Sequence, residues 1–444
     1  MQTNRRDLLT SLAGAALLGT ATERGRAQLS SAPTARGMSP PRIRDIGVIE
    51  CQPAGARLSV VKIATNQDGL YGYGCATFTQ RADLIKPAVE KYLKPLLLGR
   101  TTDRIEDIWQ TCYDSSYWKN GPVLNNAISG IDQALWDIKG RQAGMPVYQL
   151  LGGKCREAAR CFATVRGADP KAVVDRAKQF AAQGFRHVRV GGGPAGNRGE
   201  SASNPQPLHD RPVFDRDEYF RRTLNLLQFC NSELGPEVQL ATDVHERLEP
   251  RQAVEFCKAT EKLNIFFIED PLSPEDLAYF RQIRQQCATP IAMGELFNNP
   301  HEWRPLIENR LIDYIRCHVS QVGGFTPARK IALLAETFGV RTAWHAPGDL
   351  SPVGHMANVT LDVISYNFGI QEWMPFNPRV LEIFHGAAEM KNAYLYVSEK
   401  PGSGIEIDEK AAAKFPFGAE TGPRKNLNGG WDDLRLPDGT VIKQ

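Results

Sequence analysis

Between residues 160 and 373 a short apolar run recurs eight times, each time followed by residues of different periodicity, and no other feature constrains the fold as tightly. The runs are RCFATV (160–165), RHVRVGGG (186–193), VQLATDVH (238–245), IFFIEDP (265–271), PIAMGEL (290–296), YIRCHVSQVGG (314–324), VRTAWHAP (340–347) and NFGIQEW (367–373). Between them, stretches such as RQAVEFCKATEKL and PARKIALLAETFG space their apolar residues as a helix does. Eight strands alternating with helices predict a parallel α/β barrel. The chain has 444 residues, whereas such a barrel takes roughly 250, so a second domain is predicted.

From the third run onward, each run closes on a polar residue: Asp243, Glu269, Glu295, His318, His345 and Glu372, in steps of 26, 26, 23, 27 and 27. Each step is one strand plus one helix, so these side chains stand at similar height on neighbouring strands, at the C-terminal mouth where barrel active sites lie. Within LATDVHERLEP, Asp243 and His245 fall on one strand face because side chains alternate. Three converging carboxylates repel and are costly to bury unpaired. A divalent cation resolves this, and an all-oxygen set suits Mg²⁺. Helix N-capping would account for one such acid easily, but for three in register poorly.

The charge balance, 53 basic against 50 acidic residues with no basic block, gives no reason to expect nucleic acid or an anionic membrane as partner. The expected partner is a small molecule. Residues 1–27 carry paired arginines (Arg5, Arg6), a short Leu/Ala-rich run and small residues, the pattern of a twin-arginine signal cleaved near Ala27. Its apolar run falls short of the about 20 residues needed to span a bilayer, so no membrane insertion is expected. Residues 28–41 then read as a linker, and the mature protein as exported and periplasmic. Nine scattered cysteines without a CxxC pair read as core thiols. The Gly191–Gly193 run lacks GxGxxG spacing and a P-loop lysine, and reads as an active-site loop.

The segments YGYGCAT, RIEDIWQ, SSYWKNGPV, ALWDIKGRQAGMPVYQLLGG, DVHERLEP, FFIEDP, GELFN, LIDYIR, HAPGDLSPV, NFGIQEWM and GSGIEIDE resemble, in order, the enolase superfamily, and more closely its mannonate dehydratase-like subgroup, which includes proteins named as starvation-sensing. The resemblance implies an α/β fold: a modified (β/α)7β TIM-type barrel over 156–378, under an α+β capping domain of residues 42–155 that the C-terminal segment 379–444 completes. Residues of the cap agree independently, since LSVVKIATNQDGLYGYGCAT reads as a hairpin around Asp68-Gly69 and NNAISGIDQALWDIKGRQAG as a helix. The resemblance further implies that Asp243, Glu269 and Glu295 bind Mg²⁺, that a sugar acid is the substrate, and that His245 is the general acid in a dehydration through an enediolate to a 2-keto-3-deoxy acid. We also expect a homo-oligomer.

In mannonate dehydratases the base is a tyrosine, assisted by an arginine, in the loop after the second strand. Arg189 matches the arginine, but residues 191–218 contain no tyrosine, and Tyr219 reads as the structural start of the next helix. Two substrate positions also differ, reading Thr79 and Thr164 where the family has asparagine and histidine. The base then falls to His345 with His318 as its partner and Asp349 holding an imidazole, or to Arg189, whose high pKa disfavours it. His345 and Asp349 bind substrate hydroxyls in the competing reading. Glu372 is expected to contact substrate, with an ion pair at the barrel rim as its alternative. An acid-sugar epimerase or cycloisomerase, and a non-catalytic sugar-acid binding or sensing protein, are the rival functions.

Overall fold

The computed structural model describes residues 40–191, 214–348, 350–418 and 434–442. The export signal, the loop 192–213 and Asp349 lie outside the described residues.

The cap begins as an antiparallel sheet of β1 (Ile43–Cys51), β2 (Leu58–Thr65) and β3 (Tyr71–Cys75) in the order β1-β2-β3. The turn between β2 and β3 contains Gly69 at φ +74°, a left-handed conformation that glycine adopts without steric cost. Helix α2 (Pro122–Ala143) packs against it, and helix α1 (Ile105–Asp114) packs on α2. Proline at the first turn of α2 and left-handed Gly144 at its end match the usual start and stop signals. The YGYG motif permits this packing: a Cβ on Gly74 would lie 2.0 Å from the Gly130 carbonyl oxygen of α2, and one on Gly72 2.2 Å from that of Ala134.

The eight predicted strands are all present: β4 (Ala159–Val165), β5 (His187–Val190), β6 (Gln239–Asp243), β7 (Ile265–Glu269), β8 (Ile291–Met293), β9 (Tyr314–Ile315), β10 (Arg341–Thr342) and β11 (Gln371–Trp373). They pair in parallel from β4 through β10; β11 pairs with β4, and a parallel bridge between Thr342 and Phe368 joins the remaining edges. Seven helices alternate with them: α3 (Pro170–Ala182), α4 (Arg216–Leu234), α5 (Pro250–Thr260), α6 (Phe280–Gln286), α7 (Pro300–Glu308), α8 (Phe325–Thr337) and α9 (Pro352–Ile364). This is the (β/α)7β order. Phe162, Ala241, Phe267, Ala292, Tyr314, Ala343 and Ile370, drawn from seven of the strands or their edges, form a separate apolar cluster inside the barrel. It floors the site above.

Helix α2 ties the parts together through buried polar groups. Asp132 accepts from the Thr326 hydroxyl (2.5 Å) and backbone NH (3.1 Å) at the start of α8. The Asn125 amide donates to the Asn298 and Gln321 carbonyls, both 2.8 Å, in loops after β8 and β9. Asp137 accepts from the Ser403 NH at 2.7 Å and the Tyr73 NH at 2.9 Å. The segment after β11 therefore touches the cap, and its strand Tyr394–Tyr396 also pairs antiparallel with the beginning of β4.

Candidate active site

Asp243 and Glu269 end β6 and β7 as register partners, so their carboxylates emerge side by side. With Asp270 they offer ligand atoms within 4.8 Å of one another. Asp243 Oδ1 is buried and has no hydrogen-bond partner among the described residues. Burial pushes the Glu269 carboxyl up to about 7, against the opposing pull of Arg189 and Arg316, with Asp243 and Glu295 raising it further. Asp270 is pushed well above the usual range by burial and then by Glu295, Glu269 and Asp243. Four acids thus crowd one rim. An orphaned carboxylate oxygen in an all-oxygen donor set is what a hard divalent cation satisfies.

Glu295, the third acid expected from the sequence, is not among these three clustered acids, and its carboxylate turns to other partners. Its Oε1 lies 3.2 Å from His245 Nε2, and its Oε2 lies 3.2 Å from His345 Nε2. Burial opposes its charge, but the two imidazoles outweigh burial and hold the carboxyl well below its usual range. Gly294, at φ +140°, turns the chain from β8 into this position. Left-handed backbone also occurs at His245 (φ +56°), Glu246 (φ +61°) and Asp270 (φ +40°). Such strain in non-glycine residues persists only where the surroundings hold it, typically at functional sites.

The two imidazoles titrate in opposite directions. For His245 burial lowers the pKa, but Asp243 and Glu295 overcome it and raise it to about 9. For His345 burial wins over Glu295 and Glu372, and the pKa is lowered. His318 meets His345 edge to face, ring centroids 5.3 Å apart, and burial lowers its pKa to about 3. It packs against His345, and its Nδ1 has no hydrogen-bond partner among the described residues.

Beneath the rim lies a closed ion lattice. Arg189 donates to Glu269 Oε2 at 2.8 Å and to Glu372 Oε1 at 2.6 Å, while Arg316 donates to Glu269 Oε1 and, at 2.6 Å, to Glu372 Oε2. Both guanidinium groups lie over the Phe162 ring, 5.4 and 5.5 Å from its centroid. Glu372 is fully buried, and the Ala346 NH adds a 2.9 Å hydrogen bond to it. Both oxygens of its carboxylate are thus paired with guanidinium groups. Although burial opposes its charge, Glu269 and Glu372 hold the Arg189 guanidinium well above its already high pKa.

Thr164 Oγ1 accepts from Arg189 Nε at 3.1 Å, so it steadies the lattice. Thr79 lies in a short 3₁₀ turn of the cap, where its carbonyl accepts from Arg57 at 2.7 Å. Tyr219 is buried within the first turns of α4, and its hydroxyl donates to the Asp243 and Val244 carbonyls at 3.4 and 3.3 Å. It supports the ligand-bearing strand end. Sequence reasoning missed Arg316 and Asp270. Signals existed for both: a lone arginine inside the apolar run YIRCHV, and a second acid directly after Glu269.

Residues 172–411 match the family described as Enolase C-terminal domain-like, and residues 49–152 match the Mandelate racemase / muconate lactonizing enzyme N-terminal domain. The chain is 49% identical over 416 residues to the D-galactonate dehydratase family member RspA of Pantoea ananatis, covering 90% of this chain and 98% of that one. It is 46% identical to the D-galactonate dehydratase family member SEN1436 of Salmonella enteritidis, with 90% and 98% covered. A crystal structure of an enolase from Pantoea ananatis with bound D-gluconate and Mg superposes with a TM-score of 0.85 at 48% identity, covering 91% of this chain and all of that one. These relatives carry the D-galactonate dehydratase name where the motifs resemble mannonate dehydratase-like proteins, and the superfamily is common to both. The chain therefore belongs to the enolase superfamily, in the D-galactonate dehydratase family.

Proposed function

We propose that the protein dehydrates an aldonate-type sugar acid, with Mg²⁺ bound, to a 2-keto-3-deoxy acid. The observation that carries this reading is a pair of imidazoles, His245 and His345, each 3.2 Å from one oxygen of Glu295, beside the clustered acids Asp243, Glu269 and Asp270. His345 would take the proton α to the substrate carboxylate, and His245 would supply the proton to the departing β-hydroxyl. His318 keeps one face of the His345 ring dry, and Arg189 with Arg316 fixes Glu269 and Glu372 beneath them. Mg²⁺, held by Asp243, Glu269 and Glu295 with Asp270 beside them, would offset the charge that grows on the substrate carboxylate as the α-proton leaves. The D-gluconate and Mg in the Pantoea ananatis structure support this substrate class. The mannonate-like motifs and the galactonate name of the relatives both describe aldonates.

The test is a screen of aldonates with Mg²⁺ for α-keto acid, followed by ¹H NMR of α-proton exchange in D₂O. His345→Asn should abolish exchange, and His245→Asn should keep exchange but lose keto-acid formation. Exchange without keto acid in the parent would assign an epimerase or cycloisomerase instead. No exchange with any aldonate would assign a binding protein.

A further inference from the structure

The strand end that carries His345 is held by backbone on one side and by side chains on the other. Toward β9 the ladder continues past Thr342: the Ala343 NH donates to the Ile315 carbonyl at 3.0 Å and the His345 NH to the Cys317 carbonyl at 3.1 Å. Toward β11, among the described residues, backbone pairing stops at the Thr342–Phe368 bridge, where the Gly369 NH donates to the Thr342 carbonyl at 2.9 Å. The buried carbonyls beyond it still require donors, and two side-chain amides supply them. Gln371 Nε2 donates to the Trp344 carbonyl at 3.1 Å, and Asn358 Nδ2 donates to the His345 carbonyl at 3.0 Å. The next NH, of Ala346, turns to Glu372 Oε2 at 2.9 Å. Asn358 is 1% exposed, so this bond forms away from solvent.

Asn358 stands on α9, a helix fastened at both ends. At its start the Ser351 hydroxyl accepts from the Gly354 NH at 3.3 Å and donates to Cys75 Sγ at 3.2 Å. A Cβ on Gly354 would lie 2.8 Å from that sulfur, so the helix is seated directly on the end of β3 in the cap. At the far end the Cys155 NH donates to the Val363 carbonyl at 2.8 Å, and Arg156 donates to the carbonyls of Asp362 and Ser365. The His345 ring has fewer ties of its own. Its Nε2 lies 3.2 Å from Glu295 Oε2, His318 meets it edge to face, and its Nδ1 has no hydrogen-bond partner among the described residues. With no acceptor at Nδ1 to orient the ring, its place depends on the peptide from which it hangs. We propose that Asn358 is a positioning residue that fixes the His345 peptide, and through it the imidazole, against a helix anchored on the cap; this rests on the proton-taking role proposed for His345. A reacting group needs such support from a rigid element behind it.

The full-length protein, labelled with ¹⁵N-histidine and with Mg²⁺ present, is compared with Asn358→Leu, which keeps the side-chain size and removes the donor. In ¹H–¹⁵N spectra of the histidine rings at one fixed pH, the His345 signals, assigned with His345→Asn, should be displaced in Asn358→Leu. Those of His187, at the start of β5, and of His385, beyond β11, should stay in place. With an aldonate whose α-proton the parent exchanges, kcat for exchange should fall about 10–100-fold while KM stays within about twofold. Unmoved His345 signals in the folded variant, or displaced signals with parental kcat, overturn the proposal. If the parent exchanges no aldonate, the dehydration reading fails, and the ring signals alone decide whether Asn358 positions His345. Should Asn358→Leu not fold, Asn358→Ala removes the donor without adding an apolar branch, and the same displacement is required of it.

Discussion

His245 and His345 touch one carboxylate, and the difference between them comes from what else each meets. His245 faces Asp243 as well as Glu295, whereas His345 lies deeper among Glu295, His318 and the guanidinium groups. For the metal-free protein this sets the sign of a pH dependence. The His245 pKa is raised to about 9 from an unfolded value of about 6.5, so its contribution is fully present below about pH 6.5 and disappears as pH rises through about 9. Urea unfolding in chelator should show the parent losing on the order of 2–3 kcal/mol across that window relative to His245→Asn; parallel curves would refute the pairing. At the rim, replacing Asp243, Glu269 or Glu295 by its amide should remove most Mg²⁺ affinity in calorimetric titration. A variant that binds Mg²⁺ like the parent would take that residue out of the site. The regular strand-plus-helix step pointed to these three acids and to His345, and alternation along the strand pointed to His245. Asp270 was hidden because alternation assigns it to the other face of β7, and only the left-handed turn at φ +40° brings it back to the rim.

The elements were legible where local chemistry fixes them, as in the Asp68-Gly69 hairpin and the long helix α2 with its proline start and glycine stop. Less legible was how closely they approach. YGYG reads as a strand, yet its glycines are set by the α2 backbone pressed against them, so Gly74→Ala should cost about 1–3 kcal/mol in urea unfolding even though alanine suits a strand no worse. No loss would mean that α2 can shift outward freely. The ion lattice is likewise a property of four strands, β5, β7, β9 and β11, and no single run discloses it. Removing one cation by Arg316→Met leaves Glu269 and Glu372 sharing Arg189 in a dry interior, a change that costs about 3–5 kcal/mol when a buried pair is broken. Unfolding by denaturant measures it, and a loss below about 1 kcal/mol would show that water reaches the lattice.

Across the whole molecule, the barrel followed from its repeat, but the course of the chain after β11 did not. That segment has no repeat; it is placed by Gly402 against α2 and by a strand added to the beginning of β4, contacts that exist only after both domains have folded. The first 39 residues present the reverse case, because their reading rests on sequence alone. Paired Arg5 and Arg6 precede a run of Leu and Ala that is too short to span a bilayer, and this is the evidence for export by the twin-arginine route. Lysine at both positions keeps the charge and the apolar run while removing the guanidinium pair. The Arg5→Lys/Arg6→Lys variant should therefore accumulate in the cytoplasm at parental levels and with parental melting temperature, while the parent fractionates with the periplasm. Equal periplasmic amounts of the two would refute twin-arginine routing, and parent protein found only in the cytoplasm would refute export altogether.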